Sequence, residues 1–386
     1  MIRRLLGSLL VITVLSIFCT GCWDYREINL MSIVSGAAVD KTPDGKYKLS
    51  IEIIDLKGGG KEAPVHSKKL ESYGDSVFDA IRNSIKISSQ KLYWGHAEII
   101  IISKDVAKEG ILPIIDFLSR DAEPRLSIDI LISNEDTAEK ILDSQSISTE
   151  IRTYEINKML DDQKKLSKSP KVEIYQFINA LGDEGISAVL PVVGLTQNSG
   201  EATSQLAGTA VFKQDKLQYM FDEDDTKYYL FVMDKIKGGL LVVNKTQNSS
   251  NAGNFTLDID SNKTYVKPVY SKGKLSFEIS IKTKTTLGEI DDNKIKFTSQ
   301  SEIEKLEKQA QTVLKQNVER VIKAVQSGYD IDIFGFGLKV KQDMPELWKK
   351  IKPDWDDLFK NVQVKANAEV RIKHAGLLSN PIMMGD

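Results

Sequence analysis

Cys19 and Cys22 are the two cysteines of this 386-residue chain. Their C-x-x-C spacing suits a redox pair or half of a zinc site. A redox pair should follow a strand and open a helix, whereas this one ends the apolar run LLVITVLSIFCTGC. Zinc needs two more ligands, and His66, His96 and His374 stand far apart with no H-E-x-x-H spacing. The neighbouring residues point to export. Arg3 and Arg4 form a short basic segment, Leu5 to Phe18 is almost wholly apolar, and Thr20 and Gly21 are small. These are the parts of a secretory signal peptide, expected over residues 1–21. The apolar run falls short of the ~20 residues that a spanning helix needs.

A signal ending small-small-Cys resembles a bacterial lipobox, with Cys19 at the place three before the modified cysteine where leucine is usual. The resemblance implies that Cys22 receives an S-diacylglycerol group and becomes the first mature residue, with an N-palmitoyl group on its amine. An uncleaved anchor helix and an ordinary cleaved signal are the rival readings. Trp23 and Tyr25 follow at once; amphipathic aromatics suit the headgroup region, or they pack on the first domain.

Elsewhere the residues offer less. Arg120, Asp121, Glu123 and Arg125 could clamp a carboxylate, since guanidinium presents a fork of donors, or they form a local ion-pair network that orders a turn. Gly335 and Gly337 in DIFGFGLKV could cradle an anion, although glycine inside a strand more often marks a bulge. His96 reads as a half-buried residue of a strand. KGGGKEAP lacks the phosphate-loop spacing, and no G-x-S-x-G elbow occurs. Asn244, Asn248, Asn254 and Asn262 open N-x-[ST] matches and read as polar loop residues. No metal, cofactor or catalytic set is expected.

Composition sets the frame for these residues. With 41% hydrophobic and 27% charged residues, the chain is that of a folded protein. Its 52 basic and 54 acidic residues nearly balance, which leaves no electrostatic footprint for nucleic acid. No second long apolar segment follows Cys22.

The elements that must position these residues can be read in order. NLMSIVSGAAVDK and KYKLSIEIIDL flank a Pro43-Asp44-Gly45 turn and predict a hairpin. A helix is expected over 75–87, a buried strand over 92–103, and a helix over 105–119 broken near Gly110 and Pro113. A strand follows at 126–133, then a helix capped by Asn134, helices over 148–166 and 172–181, and a strand over 186–195. TQNSGEATSQ (Thr196 to Gln205) reads as a linker. Strand signals then repeat in LAGTAVFK, KLQYMF, YYLFVM, GLLVVN, NFTLDI, TYVKPVY and KLSFEISIKTKTTL. A long helix over 301–327 should pack on the C-terminal sheet, and VQVKANAEVRI closes the chain as a strand. Trp348, Trp355 and Phe359 form an aromatic patch, either core or interface. The expected fold class is α+β, multi-domain, with mixed and largely antiparallel sheets. Its expected parts are 22–64 with about 148–195, a βαβ-containing 65–147, and 206–386.

The ordered set CWDYREI, WGHAEIIIIS, GILPIIDFLSRDAEPR, GTAVFKQDKL, GYDIDIFGFGLKV and VRIKHAG resembles the C subunits of spore germinant receptors, the Ger(x)C lipoproteins. The resemblance spans nearly the whole mature chain. It implies a three-domain, lipid-anchored protein on the outer face of the spore inner membrane. It also implies assembly with an A subunit and a permease-like B membrane subunit into a receptor for small germinants. No catalytic residue carries over. The Arg120, Asp121 and Arg125 turn is the expected partner interface. Two alternatives come from other classes: a lipid-anchored solute-binding protein that captures the germinant itself, and an envelope hydrolase.

Overall fold

A strand buried on both faces must be apolar at every position, and Ile99–Ile102 is four isoleucines in a row. In the computed structural model this strand sits near the centre of a nine-stranded mixed sheet. The structure describes residues 31–55, 66–88, 90–244, 254–290 and 300–374, together with Ile2, Arg4 and Gly7. Cys19, Cys22 and the KGGGKEAP loop lie outside the described residues.

The sheet comprises β1 (Met31–Lys41), β2 (Tyr47–Asp55), β3 (His66–Gly74), β4 (Lys91–Tyr93), β5 (Ile99–Ile102), β6 (Asp129–Ser133), β7 (Val189–Asn198), β8 (Glu201–Lys213) and β9 (Lys216–Phe221). Their order is β3-β2-β1-β5-β6-β7-β8-β9, with β4 beside the start of β1. β1, β5, β6 and β7 run parallel, and antiparallel hairpins extend both sides. Helices cover both faces, so the two sets of isoleucines enter different cores. Ile100 and Ile102 pack with Val77 and Ala80 of α1 (Val77–Asn83), Val106 of α2 (Lys104–Glu109), Ile114 and Leu118 of α3 (Leu112–Arg120) and Phe177. Ile99 and Ile101 pack with Ile141 of α4 (Glu139–Leu142) and Ile156 and Leu160 of α5 (Arg152–Asp162). Phe177 belongs to α6 (Ile174–Gly182).

The second sheet has the order β10 (Leu240–Val243), β11 (Phe255–Ser271), β12 (Lys274–Ile290) and β13 (Gln363–His374). β13 is parallel to β12. The 29-residue helix α8 (Gln300–Gly328) lies on this sheet through Leu306, Ala310, Leu314, Val318, Val321 and Ile322. α7 (Glu223–Val232), α9 (Phe336–Asp343), α10 (Pro345–Ile351) and α11 (Trp355–Asn361) complete the unit. Trp348 and Trp355 are buried and meet edge-on at 5.4 Å, and Phe359 is fully buried, so the aromatic patch is core. Among the described residues no helix is long and apolar enough to cross a membrane.

Helix α8 also covers the outer edge of β13. Glu319 accepts the Ala366 N–H at 3.1 Å, Gln311 donates to the Val370 carbonyl at 3.2 Å, and Glu307 accepts the Ile372 N–H at 2.9 Å. Unpaired strand edges recruit other strands; here side chains of the same chain occupy those positions.

Several expectations change. The Thr196–Gln205 stretch is a hairpin, not a linker: β7 and β8 pair through it, and Ser199 and Gly200 turn with φ of 54° and 88°. Two consecutive left-handed residues make the two-residue turn that matches strand twist. YYLFVM is helical because Asp222 caps α7 by accepting the Asp225 N–H at 2.8 Å, which outweighs the β propensity of its aromatics. The 92–103 run is divided by a 3-10 turn, Trp94–His96, and His96 is exposed rather than half-buried. Asn134 does not begin a helix; α4 starts five residues later, at Glu139. Residues 31–55 and 66–133 share one sheet, which continues through β9 past the expected boundary at 206.

Candidate functional site

Arg120 is the last residue of α3, and the turn that follows holds Asp121 and Arg125, but the two guanidinium groups do not converge. Arg120 reaches back along its own helix to Asp116 at 2.8 Å and is 77% exposed. Arg125 pairs with Glu98 at 3.3 Å. Asp121 accepts the Glu123 N–H at 2.9 Å, and Glu123 pairs with Lys91 of β4. Glu123 thus ties the turn to β4, Arg125 ties it to Glu98 and Asp121 braces it internally, while the one described ion pair of Arg120, with Asp116, is screened by solvent. The turn is not a clamp for one carboxylate.

The histidines are likewise dispersed. His66 lies 3.7 Å from Glu150 on an exposed strand end, and His96 meets Tyr93 edge-on at 5.7 Å. His374 ends β13. Among the described residues no cluster of three His, Cys, Asp or Glu could hold a metal.

The DIFGFG segment carries neither a strand bulge nor an open anion cradle. Gly335, with φ of 68°, precedes the start of α9. The amides there are already answered by a carboxylate of the same segment. Asp332 accepts from the N–H groups of Phe334 at 3.1 Å, Phe336 at 3.2 Å and Gly337 at 2.8 Å, and from Trp355 Nε1 at 3.2 Å. Burial pushes the Asp332 carboxyl up to about 6, against the opposing pull of these four donors.

The same segment joins the two sheets. Ser187 N–H donates to the Asp332 carbonyl at 2.7 Å, and Leu338 N–H donates to the Gly185 carbonyl at 2.8 Å. Gly185 has φ of 79°, and a Cβ there would come within 2.5 Å of the Gly337 carbonyl carbon. Lys213 pairs with Asp356 at 2.9 Å and Lys352 with Glu184 across the junction. Val189, Val211 and Phe221 of the first sheet enter the core of the second.

Further buried carboxylates perform similar tasks. Glu52 receives the Arg152 and Thr153 N–H groups at 3.0 Å each, capping α5. Asp40 receives those of Ala138 at 2.7 Å and Glu139 at 3.0 Å, at the start of α4. Asp129 opens β6; Asn157 donates to its Oδ2 at 3.0 Å, Lys171 lies 3.2 Å away, and its Oδ1 is buried without a hydrogen-bond partner. Sequence reading missed all four groups. An Asp ahead of G-x-G is a turn signal that would have found Asp332. Glu52 and Asp40 meet partners about a hundred positions away, which no local pattern marks.

A cavity of about 620 Å³ lies between α8 and the starts of β12 and β13. Part of its polar lining is already engaged: Gln326 donates to the Phe359 and Val362 carbonyls, Glu319 holds Ala366, and Lys360 pairs with Asp330.

Comparison with known proteins matches the whole of this architecture. A family described as "Spore germination protein N-terminal domain" matches residues 24–195, and one described as "Spore germination B3/ GerAC like, C-terminal" matches 207–376. Spore germination protein KC of Bacillus subtilis (strain 168) is 27% identical, over 99% of this chain and 98% of that protein. Spore germination protein B3 of the same strain is 25% identical, over 92% and 94%. The crystal structure of the GerBC protein shares the fold with a TM-score of 0.56, at 21% identity, covering 87% of this chain and 96% of that one. The chain belongs to the Ger(x)C family of spore germination proteins, the C subunits of germinant receptors.

Proposed function

We propose that the chain acts without chemistry of its own, as a lipid-anchored assembly and signalling component held beside the A and B membrane subunits of a germinant receptor. Cys22 carries the anchor, on the outer face of the spore inner membrane. The observation that supports this reading best is the position of the family match. It opens at residue 24, so the charged and apolar leader ahead of Cys22 falls outside the matched region, as a removable signal should. Mass spectrometry of the mature protein is expected to find an N-terminus at Cys22 bearing a diacylglyceryl group. An unmodified Cys22, or cleavage elsewhere, would overturn the anchor.

With no convergent polar set to act on a ligand among the described residues, the contribution of the subunit is a surface. Arg120 is its most testable point, because its only described ion pair is within α3 and is screened by solvent. Arg120→Ala is expected to leave the melting temperature nearly unchanged. Co-purification with the A and B subunits should fall several-fold. A large loss of stability would make the turn structural and remove it from the interface.

A further inference from the structure

We propose that the end of the first domain formed by Phe78, Ile85 and Ile87 rests on the lipid surface, dipping into the interface beside the anchor. This rests on the anchor read at Cys22. Phe78 is 43% exposed, Ile85 55% and Ile87 65%. Phe78 and Ile85 are seven residues apart along α1 and the turn that continues it, Ser84–Lys86. Arg82 and Lys86, both exposed, are interspersed with them, and Arg82 lies over the Phe78 ring at 5.0 Å. Apolar side chains interspersed with basic ones are the composition of an interfacial membrane contact, which gains from apolar burial and from anionic lipid together.

The position of the patch selects the bilayer as its occupant. Lys91 of β4 is the register partner of Met31, the first residue of β1, and Ile87 precedes Lys91 by four residues. Cys22 precedes Met31 by nine residues, so even a fully extended tether keeps the start of β1 within about 30 Å of the anchor. The other end of β1, with the Thr42–Lys46 turn, lies about 35 Å further along an 11-residue strand. Patch and tether therefore share one end of the molecule.

The region from residue 22 onward offers a clean test because Cys22 is its one cysteine. Residues 22 onward, with Cys22→Ser and a hexahistidine tag at the N-terminus, can be bound to phosphatidylcholine–phosphatidylglycerol vesicles doped with nickel-chelating lipid. That tether works whether or not cells acylate Cys22, so this test and the mass spectrometry fail independently. A bimane label at Ile87→Cys is expected to be quenched about twofold by brominated lipid, while a label at Asp44→Cys is not. Adding Ile85→Asp, at a position more than half exposed, should return the Ile87 label to the Asp44 level with an unchanged melting curve. Equal quenching at both labels, or none at Ile87, overturns the proposal. So does a blue-shifted Ile87 label before vesicles are added, which would mean that protein already covers the patch.

Discussion

Replacing Asp332 by alanine is expected to cost about 3–5 kcal/mol and to melt the C-terminal unit first, because the change leaves buried donors with no acceptor. The Phe334, Phe336 and Gly337 amides and the Trp355 indole all point at its carboxylate. Asp332 is 5% exposed, so water has little access to replace it. Its position at the junction extends the damage: the Asp332 carbonyl holds Ser187, and Gly337 packs against Gly185. Asp332→Asn keeps one acceptor oxygen in nearly the same place and should lose less. Trp355 makes the result directly readable, since its fluorescence should change at a lower denaturant concentration in the alanine variant. A loss under about 1 kcal/mol would mean that the donors find other partners and that the carboxylate does not organise the segment.

Asp129→Asn should have the opposite sign at alkaline pH. Burial pushes the Asp129 carboxyl up to about 7; Lys171 pulls it down, and Glu173 and Asp161 raise it further. A carboxylate whose folded pKa exceeds its unfolded value binds more protons in the folded state between those two values. Stability from this group is therefore greatest in acid and falls as pH rises from about 4 to about 7, with no further change above. The difference of about three units sets an upper bound of about 4 kcal/mol. The asparagine variant lacks this descent. Thermal melts of both proteins between pH 4 and 8 should show curves that are close at the acid end and separate in favour of the variant toward pH 8. Parallel curves would mean that Asp129 is ionised throughout and that Lys171 fully offsets its burial.

Local patterns carried most of the elements. The alternation of β13 and the three-four spacing along α8 were both legible, because each has one apolar face to hide. So was the hairpin at Gly45, where φ of 84° requires the residue that the P-D-G turn supplies. Failures came where a long-range or capping interaction overruled composition. The polar run at Ser199 and Gly200 has the chemistry of a linker and of a hairpin alike, and pairing between β7 and β8 decided between them. Asp222 turned an aromatic stretch into a helix. At the candidate site, Arg120 closes α3 and Asp121 and Arg125 follow it, and the spacing could not reveal that Glu98 and Asp116 draw the guanidiniums apart.

If the chain is held on a surface through Cys22, as proposed above, the covered edge of β13 has a further consequence. Confinement to two dimensions raises the frequency with which neighbouring copies collide, and a bare main-chain edge adheres to any other with little regard for sequence. Glu307, Gln311 and Glu319 pair with three main-chain groups of that edge, those of Ile372, Val370 and Ala366, from within the chain. Crowding of copies anchored in that way would find these main-chain groups already paired, with less drive to zip sheets together at this edge. Contact there, whether with its own kind or with a partner subunit, is left to side-chain surfaces, which can distinguish one neighbour from another.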